Sequence, residues 1–250
     1  MKGTTLIRYV AVLLAALPLS IPTMAQQDSY FGLWLNAEAR KKICKPLSAQ
    51  IEAELRTRDG LDRLGRWSLG AGLTYNIIKP LRLDAGYVFL RTQSEEYEIT
   101  KKGNIIPEYW LTKHRFYAGL TAKVKAGCLS LSLRERYQLT HRDSTEVAKY
   151  NMAKEKWTTE VIKEKNDNIL RSRLQVEAKL KESNFAPYAS VEFYNDLGDN
   201  FSLDKTRLTA GTEYKINKHH AIDIYYRFIR PKDHDDDKQH VLGIGYAFKF

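Results

Sequence analysis

From Phe31 to the C-terminus, apolar and polar residues alternate one by one, interrupted by turns and a few charged loops. Phe31, Leu33, Leu35, Ala37 and Ala39 share one face of the first stretch. In the second, Ala49, Ile51, Ala53 and Leu55 oppose Gln50, Glu52, Glu54 and Arg56. Such alternation belongs to extended strands, because a helix returns to the same face only every third or fourth residue. Trp67, Leu69, Ala71, Leu73 and Tyr75 then oppose Arg66, Ser68, Gly70, Gly72 and Thr74. After a turn at Lys79-Pro80, Leu81, Leu83, Ala85, Tyr87 and Phe89 oppose Arg82, Asp84 and Gly86, so the two segments predict a hairpin. A second hairpin is predicted about Lys125-Ala126-Gly127, with Arg115 on the polar face of its first strand and Arg134 and Arg136 on that of its second. Beyond residue 168 the polar faces carry Arg171, Arg173 and Glu177, then Tyr188, Glu192 and Tyr194, then Arg207 and Glu213, then Asp223, Tyr225 and Arg227. The chain closes on QHVLGIGYAFKF, where Leu242, Ile244, Tyr246, Phe248 and Phe250 share one face and Gly243, Gly245, Ala247 and Lys249 the other.

Eleven such segments can be counted, and ten to twelve strands are expected. Short turns near residues 43, 78, 126, 183 and 218 alternate with interruptions near 60, 100, 155, 200 and 235, as periplasmic turns and extracellular loops do in outer-membrane barrels. Bacterial single-chain barrels have even strand numbers. The odd count therefore implies either an incomplete first crossing or a strand hidden between residues 141 and 168. Residues 92 to 109 and 141 to 168 read as polar loops, the second rich in Lys and Glu around Trp157. Glu135 falls on the apolar face of its strand, which calls for a bulge or a place near a rim. The predicted fold is all-β: a single antiparallel transmembrane β-barrel with a charged lumen, spanning residues 26–250. The small inner face of the closing strand, Gly243, Gly245 and Ala247, is expected to leave room for arginines of other strands.

The N-terminus changes where this barrel is placed. Lys2 and Arg8 precede an apolar run from Tyr9 to Leu19, and Thr23-Met24-Ala25 suits cleavage after Ala25, so residues 1–25 read as a secretory signal peptide. Its loss lowers the formal charge from +10 to +8, by the two charges of Lys2 and Arg8. No later apolar run reaches the length of about 18 residues that a spanning helix needs. Location in the outer membrane of a Gram-negative bacterium is expected, with export through the signal peptide. A terminal aromatic after alternating apolar residues, here Gly245, Tyr246, Phe248 and Phe250, is the pattern of a signal for the barrel-assembly machinery. Cys44 and Cys128 lie in separate turns and are expected to be unpaired.

GLWLNAEARKK, AELRTRD followed by DRLGRWSLGAGLTY, KHRFYAGL, LSLRERYQ, ILRSRLQVE and APYASVEFYNDL together resemble the outer-membrane family catalogued as domain of unknown function 2490. The resemblance spans the mature chain. It implies an outer-membrane barrel and no particular activity, so no functional residues follow from it.

The candidate chemistry sits on the inward faces. Ten arginines (Arg56, Arg66, Arg82, Arg115, Arg134, Arg136, Arg171, Arg173, Arg207, Arg227) face seven carboxylates (Glu52, Glu54, Asp84, Glu177, Glu192, Glu213, Asp223). Arginine keeps its charge and pairs bidentately with carboxylates, so these residues either form a ladder of ion pairs that fills the lumen or line a narrow pore favouring anions. An outer-membrane hydrolase of lipid or peptide, with a site at the extracellular rim, is the competing class. His114, His141 and His240 fall near loop ends of strands, with Asp143 and Ser144 beside His141. No catalytic motif supports it. Asp233, His234, Asp235, Asp236 and Asp237 lack calcium-loop spacing and read as a solvated loop, and His219-His220 reads as an exposed turn. No metal or cofactor is expected. Trp34, Trp67 and Trp110 suggest aromatic girdles, and the partners expected are outer-membrane lipid and lipopolysaccharide, met in part by Lys149, Lys154, Lys156, Lys163 and Lys165. The dispersed positive charge disfavours nucleic acid.

Overall fold

The computed structural model describes residues 29–58, 61–94, 97–100, 103–180, 183–232 and 238–250. Residues 1–25, read as a signal peptide, and the Asp233 to Asp237 run lie outside the described residues. Fifteen strands follow one another: β1 (Ser29–Lys42), β2 (Leu47–Arg58), β3 (Arg63–Ile78), β4 (Leu81–Gln93), β5 (Tyr97–Ile99), β6 (Ile105–Pro107), β7 (Trp110–Ala126), β8 (Leu129–Arg142), β9 (Thr145–Asn151), β10 (Lys156–Ile162), β11 (Lys165–Ala178), β12 (Phe185–Asp196), β13 (Ser202–Lys215), β14 (His220–Pro231) and β15 (Lys238–Lys249). Eleven of them close a barrel in the order β1-β15-β14-β13-β12-β11-β8-β7-β4-β3-β2.

The odd count is real, and it has a geometric consequence. Every neighbouring pair is antiparallel except the last, since β1 and β15 pair in parallel from Ser29↔Lys238 to Arg40↔Lys249. The expectation of a wholly antiparallel barrel is corrected at this seam: strands that reverse at each step bring the first and eleventh into the same direction. Neither explanation offered for an odd count accounts for the wall: β1 pairs with β15 over Ser29–Arg40 and with β2 over Trp34–Lys42, and the strands that do lie between residues 141 and 168, β9 and β10, belong to a separate sheet.

The two segments read as loops carry structure of their own. β5, β6, β9 and β10 form a separate four-stranded sheet of order β10-β9-β6-β5. Ile106 and Val147 are its buried residues, and Tyr150 packs on Trp157 with ring centroids 5.1 Å apart. Alternation is too brief to read in β5 and β6, of three residues each, and in β9 it is masked by charged residues on both faces.

The two long connections, which carry the extra sheet, lie at one end of the barrel, and the links at the other end run from two to six residues. Gly127 occupies a positive φ of 60° in the two-residue turn between β7 and β8, a region that favours glycine. Cys44 and Cys128 are both free. The short-turn end is also where the closing strand is pinned. The Phe250 amide donates to the Arg40 carbonyl at 2.9 Å and the Lys249 amide to that of His219 at 2.8 Å. His219 Nδ1 donates back to the Lys249 carbonyl at 2.6 Å. His220 Nδ1 lies 2.6 Å from the Tyr246 hydroxyl, so the tandem histidines do more than decorate a turn.

The wall has an apolar outside and a polar inside. Leu69, Leu73, Phe116, Leu133, Leu208, Ile224 and Ile244 are exposed, whereas Ser68, Asp84, Thr121, Arg134, Gln138 and Glu192 are buried. This inverts the arrangement of a water-soluble protein. Glu135 remains the exception. Its partners Leu120 and Ser172 sit in unbroken ladders, so there is no bulge, and it lies in mid-strand rather than at a rim. The Ser172 hydroxyl donates to its carboxylate at 2.5 Å, which offsets part of the cost of a carboxyl on the apolar face.

The parallel seam is directly testable. With Cys44 and Cys128 replaced by serine, a Leu35→Cys/Ile244→Cys pair, directly opposed in β1 and β15, should oxidise to an intramolecular disulfide in the folded barrel. Pairing Leu35→Cys with Phe248→Cys instead should not cross-link. Equal oxidation of both pairs would contradict the register.

Candidate functional site in the barrel lumen

The barrel encloses a cavity of about 820 Å³. Of the ten arginines and seven carboxylates read as inward from the sequence, all but Arg82 and Asp84 line it. Asp84 lies beneath Arg136, whose Nη2 reaches it at 2.5 Å, and Gly119 faces that carboxylate closely enough that a Cβ there would meet Asp84 Oδ1 at 2.9 Å. Arg82 has a buried Nε without an acceptor.

The charges are not spread evenly. Arg56, Arg66, Arg115, Arg134, Arg171, Arg173, Arg207 and Arg227 lie within electrostatic reach of one another through the middle of the barrel and the half towards its loop end. Two carboxylates serve this belt. Glu54 takes Nε and Nη2 of Arg56 at 2.8 and 3.0 Å, with Arg66 3.7 Å away. Glu192 is held by Arg134 at 2.5 Å and by Arg171 at 2.8 Å, and accepts the Tyr194 hydroxyl at 3.1 Å. The other four arginines have no carboxylate partner among the described residues. Arg115 donates to Thr140 Oγ1 at 3.0 Å, Arg227 to Thr209 Oγ1 at 3.0 Å, and Arg207 to the Tyr194 hydroxyl. Arg173 stands opposite Arg134 in the ladder.

Near the short-turn end the remaining carboxylates meet other partners. Glu177 binds Lys123 at 2.9 Å and Lys179 at 3.4 Å, Glu213 lies 3.9 Å from Lys215, and Asp223 accepts the Tyr188 hydroxyl at 2.9 Å. Glu52 fills the space left by Gly70. A continuous Arg–carboxylate ladder is therefore realised only in part.

Trp34 is the residue that sequence reasoning placed wrongly. It is not in a girdle but inside the lumen, 5% exposed, beside Ile229 and Val241. The signal was available: Leu33 and Leu35 face outwards, so the residue between them faces in. Arg56 stacks on its ring at 3.5 Å, and Arg227 and Arg207 lie 5.0 and 5.4 Å from its centroid. The closing strand is corrected too. A Cβ on Gly243 would land inside the Tyr225 ring, and one on Gly245 would sit 3.0 Å from Asn36 Oδ1, so the small inner face accommodates Tyr225 and Asn36 rather than arginines. Arg227 lies over Tyr225 at 4.6 Å. On the outside, Tyr246 faces His220 and Phe248 packs edge-on against Phe250 at 4.4 Å.

A family profile described as a protein of unknown function, DUF2490, matches residues 31–240. The chain belongs to this family. The match runs from the start of β1 to the beginning of β15 and so takes in the whole arginine belt. No curated protein matches the chain. Among solved structures, this DUF2490 barrel is similar to the beta domain of the Bordetella autotransporter BrkA, with 11% identity, a TM-score of 0.53 and 78% of each chain covered. It is also similar to the translocator domain of autotransporter NalP from Neisseria meningitidis, with 16% identity, a TM-score of 0.53, and 76% of this chain and 72% of that one covered. At such identities the likeness is one of fold.

At the rim, two of the three histidines singled out in the sequence, His114 and His141, join a polar chain on the outer wall. Tyr87 is 2.7 Å from His114 Nδ1, His114 Nε2 is 3.3 Å from Asp143, and His141 lies 3.6 Å from Asp143 and 2.8 Å from Asn166. Ser144 makes no hydrogen bond to either histidine among the described residues. His240 is elsewhere on the rim, 2.5 Å from the Tyr226 hydroxyl. Lys149 of the extra sheet is paired with Glu160 at 2.7 Å.

Removing one acceptor from a buried pair strands the other charge. Glu192→Gln leaves Arg134 and Arg171 uncompensated and should lower stability by about 3 kcal/mol in urea unfolding from lipid vesicles. Glu213→Gln, at a side chain 36% exposed, should cost less than about 1 kcal/mol. Equal midpoints for the two variants would contradict a structural weight for the Glu192 cluster.

Proposed function

We propose that this chain is an outer-membrane protein whose barrel provides a narrow passage favouring small anions. One observation carries the reading: the polar cavity in the barrel interior is lined by nine arginines and three lysines against ten carboxylates, and eight of those arginines are gathered in one belt in which Glu54 and Glu192 are the carboxylate partners among the described residues. Fixed positive charge around a narrow aqueous path attracts anions and repels cations. Outer-membrane location is supported by the apolar outer wall, by the signal-peptide pattern of residues 1–25 and by the aromatic end of β15. Delivery by the barrel-assembly machinery and contact with lipopolysaccharide belong to the same reading. It includes no catalytic cycle: the polar chain at the rim acts as an interfacial anchor, and the purified barrel should hydrolyse neither lipid nor peptide in a screen.

The mature protein should fractionate with the outer membrane and show heat-modifiable mobility. In planar bilayers it should give discrete conductance steps, with a reversal potential displaced towards that of chloride in a salt gradient. Arg134→Gln/Arg173→Gln should lower the anion-to-cation permeability ratio about twofold or more. A folded barrel without conductance would instead indicate a lumen closed by its own side chains, and an unchanged ratio would remove selectivity from these residues.

A further inference from the structure

Two kinds of contact hold the guanidiniums of the lumen, and they differ in what they leave free. A carboxylate engages the N–H edge of a guanidinium and consumes its donors, as Glu54 does with Arg56. An aromatic ring engages the flat face and leaves the in-plane donors available. Trp34 and Tyr194 do the second, beside the carboxylates Glu54 and Glu192 for Arg56 and Arg171, and with no carboxylate among the described residues for Arg207 and Arg227. Arg56, Arg227 and Arg207 have their guanidinium carbons 3.5, 5.0 and 5.4 Å from the Trp34 centroid, and Arg207 and Arg171 lie 4.5 and 4.6 Å from that of Tyr194. Arg207 thus stands between both rings. Neither it nor Arg227 has a carboxylate partner among the described residues, and their side-chain acceptors are the neutral oxygens of Tyr194 and Thr209. The Nε donors of Arg171 and Arg207 are buried without an acceptor.

Four guanidiniums from β2, β11, β13 and β14 therefore converge on two rings, beside a cavity that all four line. Like charges held this close in a partly desolvated space repel, and a mobile anion relieves that repulsion. We propose that the arginine cluster around Trp34 and Tyr194 is a binding site for small multivalent oxyanions, those bearing phosphoryl groups above all. A phosphoryl group offers several oxygens and more than one charge to forks approaching from different strands. A halide offers one charge and no matching geometry. Because the rings and strands already hold the guanidiniums, little side-chain freedom is lost on binding. The site deepens the proposed passage and rests on it only in that the cavity must be reached from solvent.

Inorganic pyrophosphate is a suitable probe, titrated calorimetrically into the intact barrel in detergent at constant ionic strength, with sodium chloride as the reference. Saturable binding is expected for pyrophosphate and not for chloride. Arg207→Gln/Arg227→Gln should weaken it by about tenfold or more, since each lost charge-assisted hydrogen bond alone accounts for about that factor. Arg207→Lys/Arg227→Lys should fall between, keeping charge but not the fork. Arg40→Gln, which changes a residue outside the cavity lining, should bind as wild type does. Each variant is compared after its heat-modifiable mobility is established; if both double variants misfold, pyrophosphate must still bind the wild-type barrel saturably and raise its unfolding temperature. No saturable binding to wild type, or an unchanged Kd in the folded glutamine variant, would overturn the site. Anion-selective conductance without pyrophosphate binding would reject the site and keep the passage, whereas binding without conductance would reject the passage and keep the site.

Discussion

In a hydrocarbon layer an unpaired backbone donor or acceptor costs several kcal/mol, so a membrane wall built of strands cannot keep an edge. The ladder between β1 and β15 removes the last one, and most other features of the lumen depend on it. Eleven strands joined by reversals must close in parallel, and parallel pairing is slightly weaker per residue than antiparallel. The seam is reinforced where β15 ends, through the hydrogen bonds of Phe250 to Arg40 and of His219 to Lys249. Closure also sets Trp34 between Arg56 of β2 and Gly243 of β15. Arginines from both sides of the seam consequently meet over one ring, although Arg56 and Arg227 are distant in the chain.

The lumen manages its charge by three different means along its length. Carboxylates shared between arginines, as at Glu192 and Glu54, neutralise part of the belt. Aromatic faces at Trp34, Tyr194 and Tyr117 support guanidiniums without adding negative charge. Nearer the short-turn end, lysines close to the strand ends meet Glu177 and Glu213, where both partners are closer to water. Pairing at the buried centre constrains the barrel, because a broken pair there leaves a charge without solvent. Pairing near the turns is screened and contributes less.

The apolar wall and the charged lumen come from the same alternation, so errors in the wall are informative. Glu135 occupies a position that lipid-facing leucines occupy around it, and Ser172 on the next strand supplies its partner. The pair spans two neighbouring strands at one level, which makes it a local exception in an otherwise continuous apolar surface.

Period-two alternation determined a great deal by itself: the all-β class, the positions of the eleven wall strands, the alternation of short and long connections, and the parity that sends Arg56, Arg134, Arg171 and Arg207 inwards. Parity also contained the position of Trp34, which residue type, a tryptophan near a strand end, wrongly suggested lay in a girdle. Which inward charges meet was not legible, because partners such as Arg134 and Glu192 are 58 residues apart and are brought together only by strand register and tilt. The same holds for the fit of Tyr225 over Gly243, for the separate sheet built from β5, β6, β9 and β10, and for the parallel seam. Alternation is a property of one strand and its two faces. Pairing, closure and the gathering of arginines around two rings are properties of the cylinder, and only the tertiary structure decides them.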